Sequence, residues 1–141
     1  MKLLFSMLCD YGSTERDGKL NLVGVFQQFE SEVIPFEPRR FYIVIFLELE
    51  ESDYSAPFSI TLKLLDPVGA ATDIRQEMNN VTMPKPPEGK TRMNLFLEVT
   101  GLKFNKSGKY NLHVECNGKR VDRVPVPVKQ TVIEVAVKNN P

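Results

Sequence analysis

Nucleophilic or general-base chemistry in this 141-residue chain would have to start from one histidine, His113, and two cysteines, Cys9 and Cys116. Their placement argues against it. Tyr110, Leu112, Val114 and Cys116 alternate with Lys109, Asn111, His113 and Glu115. The imidazole is therefore predicted on the polar face of a strand, pointing away from Cys116 and the core. Cys9 shares parity with Leu3, Phe5 and Met7 and is predicted to face inward with them. A Cys–His pair needs hydrogen-bond reach, which this arrangement lacks, so no catalytic residue is assigned and no enzymatic activity is expected. There is no C-x-x-C and no Cys/His cluster of zinc spacing. Glu48, Glu50, Glu51 and Asp53 gather acidity at a strand end, but calcium takes about six to eight converging oxygens and no Asp-x-Asp-x-Asp-Gly loop is present. That cluster reads as a solvated end that discourages edge pairing. No metal or cofactor is expected.

Binding surfaces are the better candidates. Lys103, Lys106, Lys109, Lys119, Arg120 and Arg123 crowd around the last hairpin as a basic patch for phosphate, yet interleaved aromatics for single-stranded nucleic acid are missing. Nucleic acid is not the expected partner. An apolar anomaly is more informative. In the run from Arg40 to Glu50, Phe41, Ile43, Ile45, Leu47 and Leu49 take the core face, while Tyr42, Val44 and Phe46 take the other. Phe96, between Asn94 and Glu98, does the same. A sandwich strand should be polar outside, so these four residues mark a surface for a protein partner or a second copy of the chain. The alternative is that residues 27–38 or the C-terminal segment fold over this face, and the sequence leaves both open. The loops at one sandwich end offer a second site, for a small ligand. Pro84-Lys85-Pro86-Pro87 forms a P-x-x-P segment, read as a stiffener of the longest loop, Asn79–Lys90.

The elements that must position these groups have a period of two throughout. Hairpin signals at Asp17-Gly18 and Asn117-Gly118, with turns at Ser52–Ser55 and Asp66–Gly69, cut the chain into eight or nine short strands. Gly24 interrupts the second strand as a bulge or a place of close backbone approach. Phe29, Ile34, Pro35, Phe36 and Pro38 form an irregular crossing whose aromatics plug one end of the core. Pro125 and Pro127 space Val124, Val126 and Val128 and confine that strand to an edge. Ile133, Val135 and Val137 are expected to complete the set. These one-sided faces predict an all-β fold, an antiparallel sandwich in a single domain over residues 1–141.

Composition agrees: 42% hydrophobic and 26% charged residues suit a globular chain, and formal net charge is zero, so no overall field favours polyanions. Residues 1–70 carry 6 Lys/Arg against 11 Asp/Glu, and residues 71–141 carry 12 against 7, which predicts that the halves pair within one sandwich. Leu3–Leu8 is too short for a secretory core, and bulky Leu8 precedes Cys9 where a lipoprotein signal needs a small residue. The start is therefore read as the first strand, no membrane association is expected, and the compartment as the cytoplasm, with both thiols reduced.

Leu102 and Phe104 lead into Asn105-Lys106-Ser107-Gly108-Lys109-Tyr110. Gly108 and Tyr110 there resemble the tyrosine corner of immunoglobulin-like domains, although no tryptophan or inter-sheet cysteine pair accompanies them. The wider pattern is Leu8-Cys9-Asp10, Gly18-Lys19-Leu20-Asn21-Leu22 and Gly24-Val25-Phe26, followed by Asp66-Pro67-x-Gly69, Asn94-Leu95, Gly101-Leu102-x-Phe104, Ser107-Gly108-x-Tyr110 and Val124-Pro125. It resembles an uncharacterised family of small bacterial proteins over nearly the whole chain. Family proteins often carry Pro where Ser107 stands. The resemblance implies an immunoglobulin-like sandwich in the bacterial cytoplasm and no assigned activity. The function expected from the residues is a non-catalytic binding or assembly module acting through the Tyr42/Val44/Phe46 face.

Overall fold

Turn chemistry divides the chain into nine strands, and the computed structural model describes residues 1–132. In chain order the strands are β1 (Lys2–Thr14), β2 (Leu20–Phe26), β3 (Phe29–Ser31), β4 (Phe41–Glu48), β5 (Phe58–Leu65), β6 (Ala71–Val81), β7 (Arg92–Val99), β8 (Gly108–Cys116) and β9 (Lys119–Gln130). A single 3₁₀ turn, Glu51–Tyr54, joins β4 to β5. The strands form an all-β sandwich, with a four-stranded sheet β2-β1-β4-β7 and a five-stranded sheet β3-β9-β8-β5-β6. Pairing is antiparallel throughout except where β3 runs parallel to β9. The strand expected at Ile133, Val135 and Val137 lies outside the described residues. The ninth strand here is β3, whose three residues are too few to show a period.

Alternation decides the core. Phe41, Ile43, Ile45 and Leu47 of β4 meet Phe58, Ile60, Leu62 and Leu64 of β5, and all are buried. Leu112 and Val114 of β8 and Val124, Val126 and Val128 of β9 complete the five-stranded inner face. The residues between them face water, as period two requires. Pro125 and Pro127 pair with Asn111 and Lys109 of β8, and β3 meets β9 only from Val128 onward. Both prolines therefore sit where β9 has an open side, which is where a residue without N–H is tolerated.

One end of the sandwich closes with aromatic rings. Phe29 packs on Phe26, Phe41 and Phe104 with centroids 4.8, 4.8 and 5.3 Å away. Phe36 and Phe104 exchange backbone hydrogen bonds of 2.9 and 2.7 Å. The irregular crossing thus plugs the core as its composition predicts. The charge asymmetry is offset within the chain as well: carboxylates of the acidic half meet cations of the basic half in Lys85–Glu51, Lys90–Glu48, Arg92–Glu48 and Lys106–Asp66.

At the same end the Tyr110 hydroxyl donates to the Lys106 carbonyl at 2.9 Å, with the ring buried against Phe104. Gly108 has φ +133°, and a Cβ there would stand 2.7 Å from Pro67 Cγ. Conformation and space both demand glycine. Tyr110→Phe leaves the Lys106 carbonyl unpaired and is expected to cost about 1 kcal/mol. Gly108→Ala adds backbone strain and a Pro67 clash, about 1–3 kcal/mol. Urea unfolding of both variants checks the pair, and an unchanged midpoint for Gly108→Ala would refute the packing account.

Candidate functional site

The outer face of the four-stranded sheet is where the apolar anomaly falls, and one extra residue in β1 controls it. Leu3 pairs with Leu47, but Phe5 pairs with Phe46, so Leu4 is a bulge that reverses the parity of everything after it. Phe5 and Met7 were expected inside with Leu3. Instead they stand outside, opposite Phe46 and Val44, and are 41% and 38% exposed. Leu8 takes the inward position in their place. Phe5 stacks on Phe46 with centroids 4.1 Å apart.

Past Cys9 the β1–β2 hairpin folds over the same face. Its Gly12 backbone lies against Val44 and Phe96, so that a Cβ would be 3.1 Å from the Phe96 ring and 3.2 Å from Val44 Cγ2. The Tyr11 ring meets Tyr42 edge-on at 5.5 Å. The four predicted contact residues are therefore neighbours, with Phe96 opposite Val44 across β4 and β7, but they do not form a free surface. Val44 has no exposure, and Tyr42, Phe46 and Phe96 are half-buried. The cover comes from the N-terminal hairpin; of residues 27–38, expected as a possible cover, Phe29–Ser31 pairs with β9 in the other sheet, and the C-terminal segment from residue 133 lies outside the described residues. Cys9, likewise unexposed, is buried beneath this hairpin beside Tyr42 and outside the inter-sheet core cluster. Burial and the Asp10 carboxylate push its thiol pKa up, the wrong direction for a nucleophile.

What remains apolar and open has moved one layer outward and onto one hairpin. Tyr11 of β1 stands opposite Val23 of β2 and Cys9 opposite Val25, the valines being 58% and 51% exposed, while Phe5 and Met7 are open on the same face earlier in β1. The spacing of Tyr11, Val23 and Val25 carried a signal, since odd positions on both arms of a hairpin share a face. Gly24 lies between the valines at φ +67°, with the Asp10 side chain occupying the place of its Cβ. This is the close approach that the sequence anticipates.

The six basic residues do not form one patch. Lys103 and Lys106 sit in the β7–β8 loop, Lys109 opens β8, and Lys119 and Arg120 begin β9 at the far end of the hairpin, about 23 Å away along the strand. Arg123 instead joins a row that the chain order hides: Arg75, Lys63, His113 and Arg123 stand in register across β6, β5, β8 and β9. Glu77 and Glu115 pair with Arg75 and Lys63 and offset the row. His113 faces outward as predicted, and burial, Arg120 and Lys63 together push its pKa down. The acidic cluster is tied into ion pairs: Asp53 and Glu50 with the Met1 amino group, Glu48 with Lys90 and Arg92, and Glu51 with Lys85.

A cleft of about 600 Å³ opens at the loop end, lined by Asp66, Thr72, Asp73, Thr100, Lys103 and Lys106 among others. One of its two carboxylates is already engaged. Asp66 Oδ1 accepts the N–H of Val68 and of Ala70, both at 2.9 Å, and Oδ2 faces Lys106 at 3.2 Å. The Ala70 amide first, then Lys106 and Val68, hold its pKa below the ordinary aspartate value against a desolvation penalty. Depressed in the fold, this group adds stability that is full above the unfolded pKa of about 3.9 and disappears as pH falls through the folded value.

Gly12→Val is expected to lift the hairpin from Val44 and Phe96, costing about 1–3 kcal/mol by overpacking. Faster amide exchange in β2 than in β8 would show it, and unchanged exchange would contradict the cover. Asp66→Asn keeps an acceptor but removes the charge. Its stability deficit relative to the parent should shrink as pH falls below about 3.9. A deficit constant from neutral to acid pH would mean that the charge contributes nothing.

Among the described residues, no group of His, Cys, Asp and Glu is placed to hold a metal ion, and no helix is long and apolar enough to cross a membrane. No curated protein matches the chain. A family model does match, across residues 4–129, and it spans every strand from β1 to β9. The chain belongs to a family of unknown function, DUF6941.

Proposed function

We propose that this protein is a non-catalytic binding or assembly module of the cytoplasm, and that it engages a protein through the exposed face of the β1–β2 hairpin. The observation that carries this reading is the exposed Tyr11, Val23 and Val25 on one side of the β1–β2 hairpin, with Phe5 and Met7 exposed on the same face earlier in β1. Single exposed apolar residues are ordinary, but five that share the faces of two paired strands have the composition of an interface core. Free thiols at Cys9 and Cys116 suit a reducing compartment. The scaffold reads as immunoglobulin-like. β4 and β7 face β5, β8 and β9 in the manner of B and E against C, F and G, the tyrosine corner opens the F equivalent, and the β1–β2 hairpin is an addition before B. The alternative use of loops or basic residues for a small ligand or nucleic acid has less support, because the charges are divided between two ends and partly paired.

Affinity capture of the tagged chain from lysate of its own source tests the reading, with Met7→Lys/Val25→Lys as the comparison. Both positions are open, whereas Phe46 lies under Phe5 and its replacement would disturb the fold. A stoichiometric protein captured by the parent and lost by the variant supports the module. Equal capture by both removes the hairpin from the proposal.

A further inference from the structure

Cross-strand neighbours on a sheet face support each other when their charges differ, and like charges set directly opposite cost stability. The outer face of the five-stranded sheet breaks that rule at one place. His113 of β8 stands between Lys63 of β5 and Arg123 of β9, and Arg75 of β6 stands beyond Lys63. Neighbouring strands are about 4.8 Å apart, so these four basic side chains span about 14 Å of sheet. Arg120 joins them from β9, opposite Glu115.

Two carboxylates answer this cluster. Glu115 reaches Lys63 at 2.7 Å, and Glu77 pairs with Arg75 on its own strand. Asp122 opposes the inward-facing Val114, and its Oδ1 accepts the Arg123 backbone N–H at 2.7 Å. Arg120 and Arg123 are exposed and enter no ion pair among the described residues. Lys63, Arg75, Arg120 and Arg123 against Glu77 and Glu115 leave an excess of two positive charges around one imidazole. His113 registers that field. Burial first, then Arg120 and Lys63, with Arg123 adding to them, hold its pKa below the ordinary value, and Glu115 opposes them only in part. Thr61, Leu65, Asn111 and Pro125, which surround it on the same face, carry no charge.

We propose that the outer face of β5, β8 and β9 around His113 binds a phosphate dianion, free or carried as a monoester, through the guanidinium groups of Arg120 and Arg123 with the imidazole as a further donor. The site lies on the sheet opposite the β1–β2 hairpin and is independent of that reading. Charge complementarity selects the ligand. Two excess cations match the two charges of the dianion, whereas a carboxylate carries one and leaves a cation unanswered. Arginine keeps its charge at every working pH, and its planar fork fits phosphate oxygens two at a time. A bound anion also screens Lys63, His113 and Arg123 from one another, which relieves the like-charge opposition. By favouring the imidazolium, it raises the pKa of His113.

His113 is the one histidine of the chain, so its ring protons report on the site directly. Proton NMR of the full chain at about pH 7.5, where phosphate is mostly dianionic, follows them as inorganic phosphate replaces chloride at constant ionic strength. A saturable shift is expected, half-complete at or below about 1 mM, together with a higher His113 pKa in saturating phosphate. Arg123→Gln and Arg120→Gln should each weaken binding at least tenfold. Lys103→Gln, the same charge change in the β7–β8 loop, should leave it unaltered. In chloride alone the melting temperature of Arg123→Gln should equal or exceed that of the parent, because the substitution removes a like-charged neighbour. A phosphoserine tripeptide titrated in parallel separates the sources: tighter binding than inorganic phosphate assigns the site to esterified phosphate, and weaker binding to the free ion. A shift that stays linear, or that Lys103→Gln weakens as much as Arg123→Gln does, overturns the proposal. So does a lower melting temperature for Arg123→Gln in chloride, which would make that arginine part of the scaffold.

Discussion

Side chains on a strand alternate between two faces, and a single inserted residue reverses that alternation for the rest of the strand. In this protein the insertion is Leu4. Without it, Phe5 and Met7 would enter a core already filled by Leu47, Ile45 and Ile43, and Phe46 would face water without a stacking partner. With it, Leu8 takes the inward position beside Ile43, while Phe5 covers Phe46 and Met7 lies across Val44. The bulge therefore decides which residues hold the two sheets together and which form the outer apolar layer.

A second hydrophobic layer follows from that reversal. Val44 and Cys9 are as buried as any residue between the sheets, yet they lie outside the sandwich core, beneath a hairpin of the same chain. The cover depends on the absence of a side chain at Gly12, which lets backbone approach the Phe96 ring. Covering one apolar layer with a hairpin exposes the hairpin's own outer residues. The site of interest is thus displaced from β4 and β7 to β1 and β2.

The five-stranded sheet shows the opposite character. In its outer row of Arg75, Lys63, His113 and Arg123, assembled by register, Lys63 pairs with Glu115 across strands and Arg75 with Glu77 on its own strand, which offsets two of the cations. The two faces of the molecule differ in kind. One is polar and partly paired, and the other is apolar and only partly covered.

The sandwich, most of its strands, the aromatic plug and the tyrosine corner were legible in the sequence, because each is set by local chemistry. Alternation, Asp-Gly and Asn-Gly turns, and the spacing of Gly108 and Tyr110 act over a few residues and leave their mark there. The anomaly at Tyr42, Val44, Phe46 and Phe96 was legible for the same reason. What covers it was not, since the Leu4 bulge obeys no composition rule and the contact of Gly12 with Phe96 joins positions 84 apart in the chain. The basic residues made the converse error: close in sequence, they are separated by the length of a strand. Which residues alternate and where the chain turns are properties of neighbouring residues, and both can be read along the chain. Which apolar face stays open depends on register and on the path of the hairpin, and those are settled by contacts between distant strands.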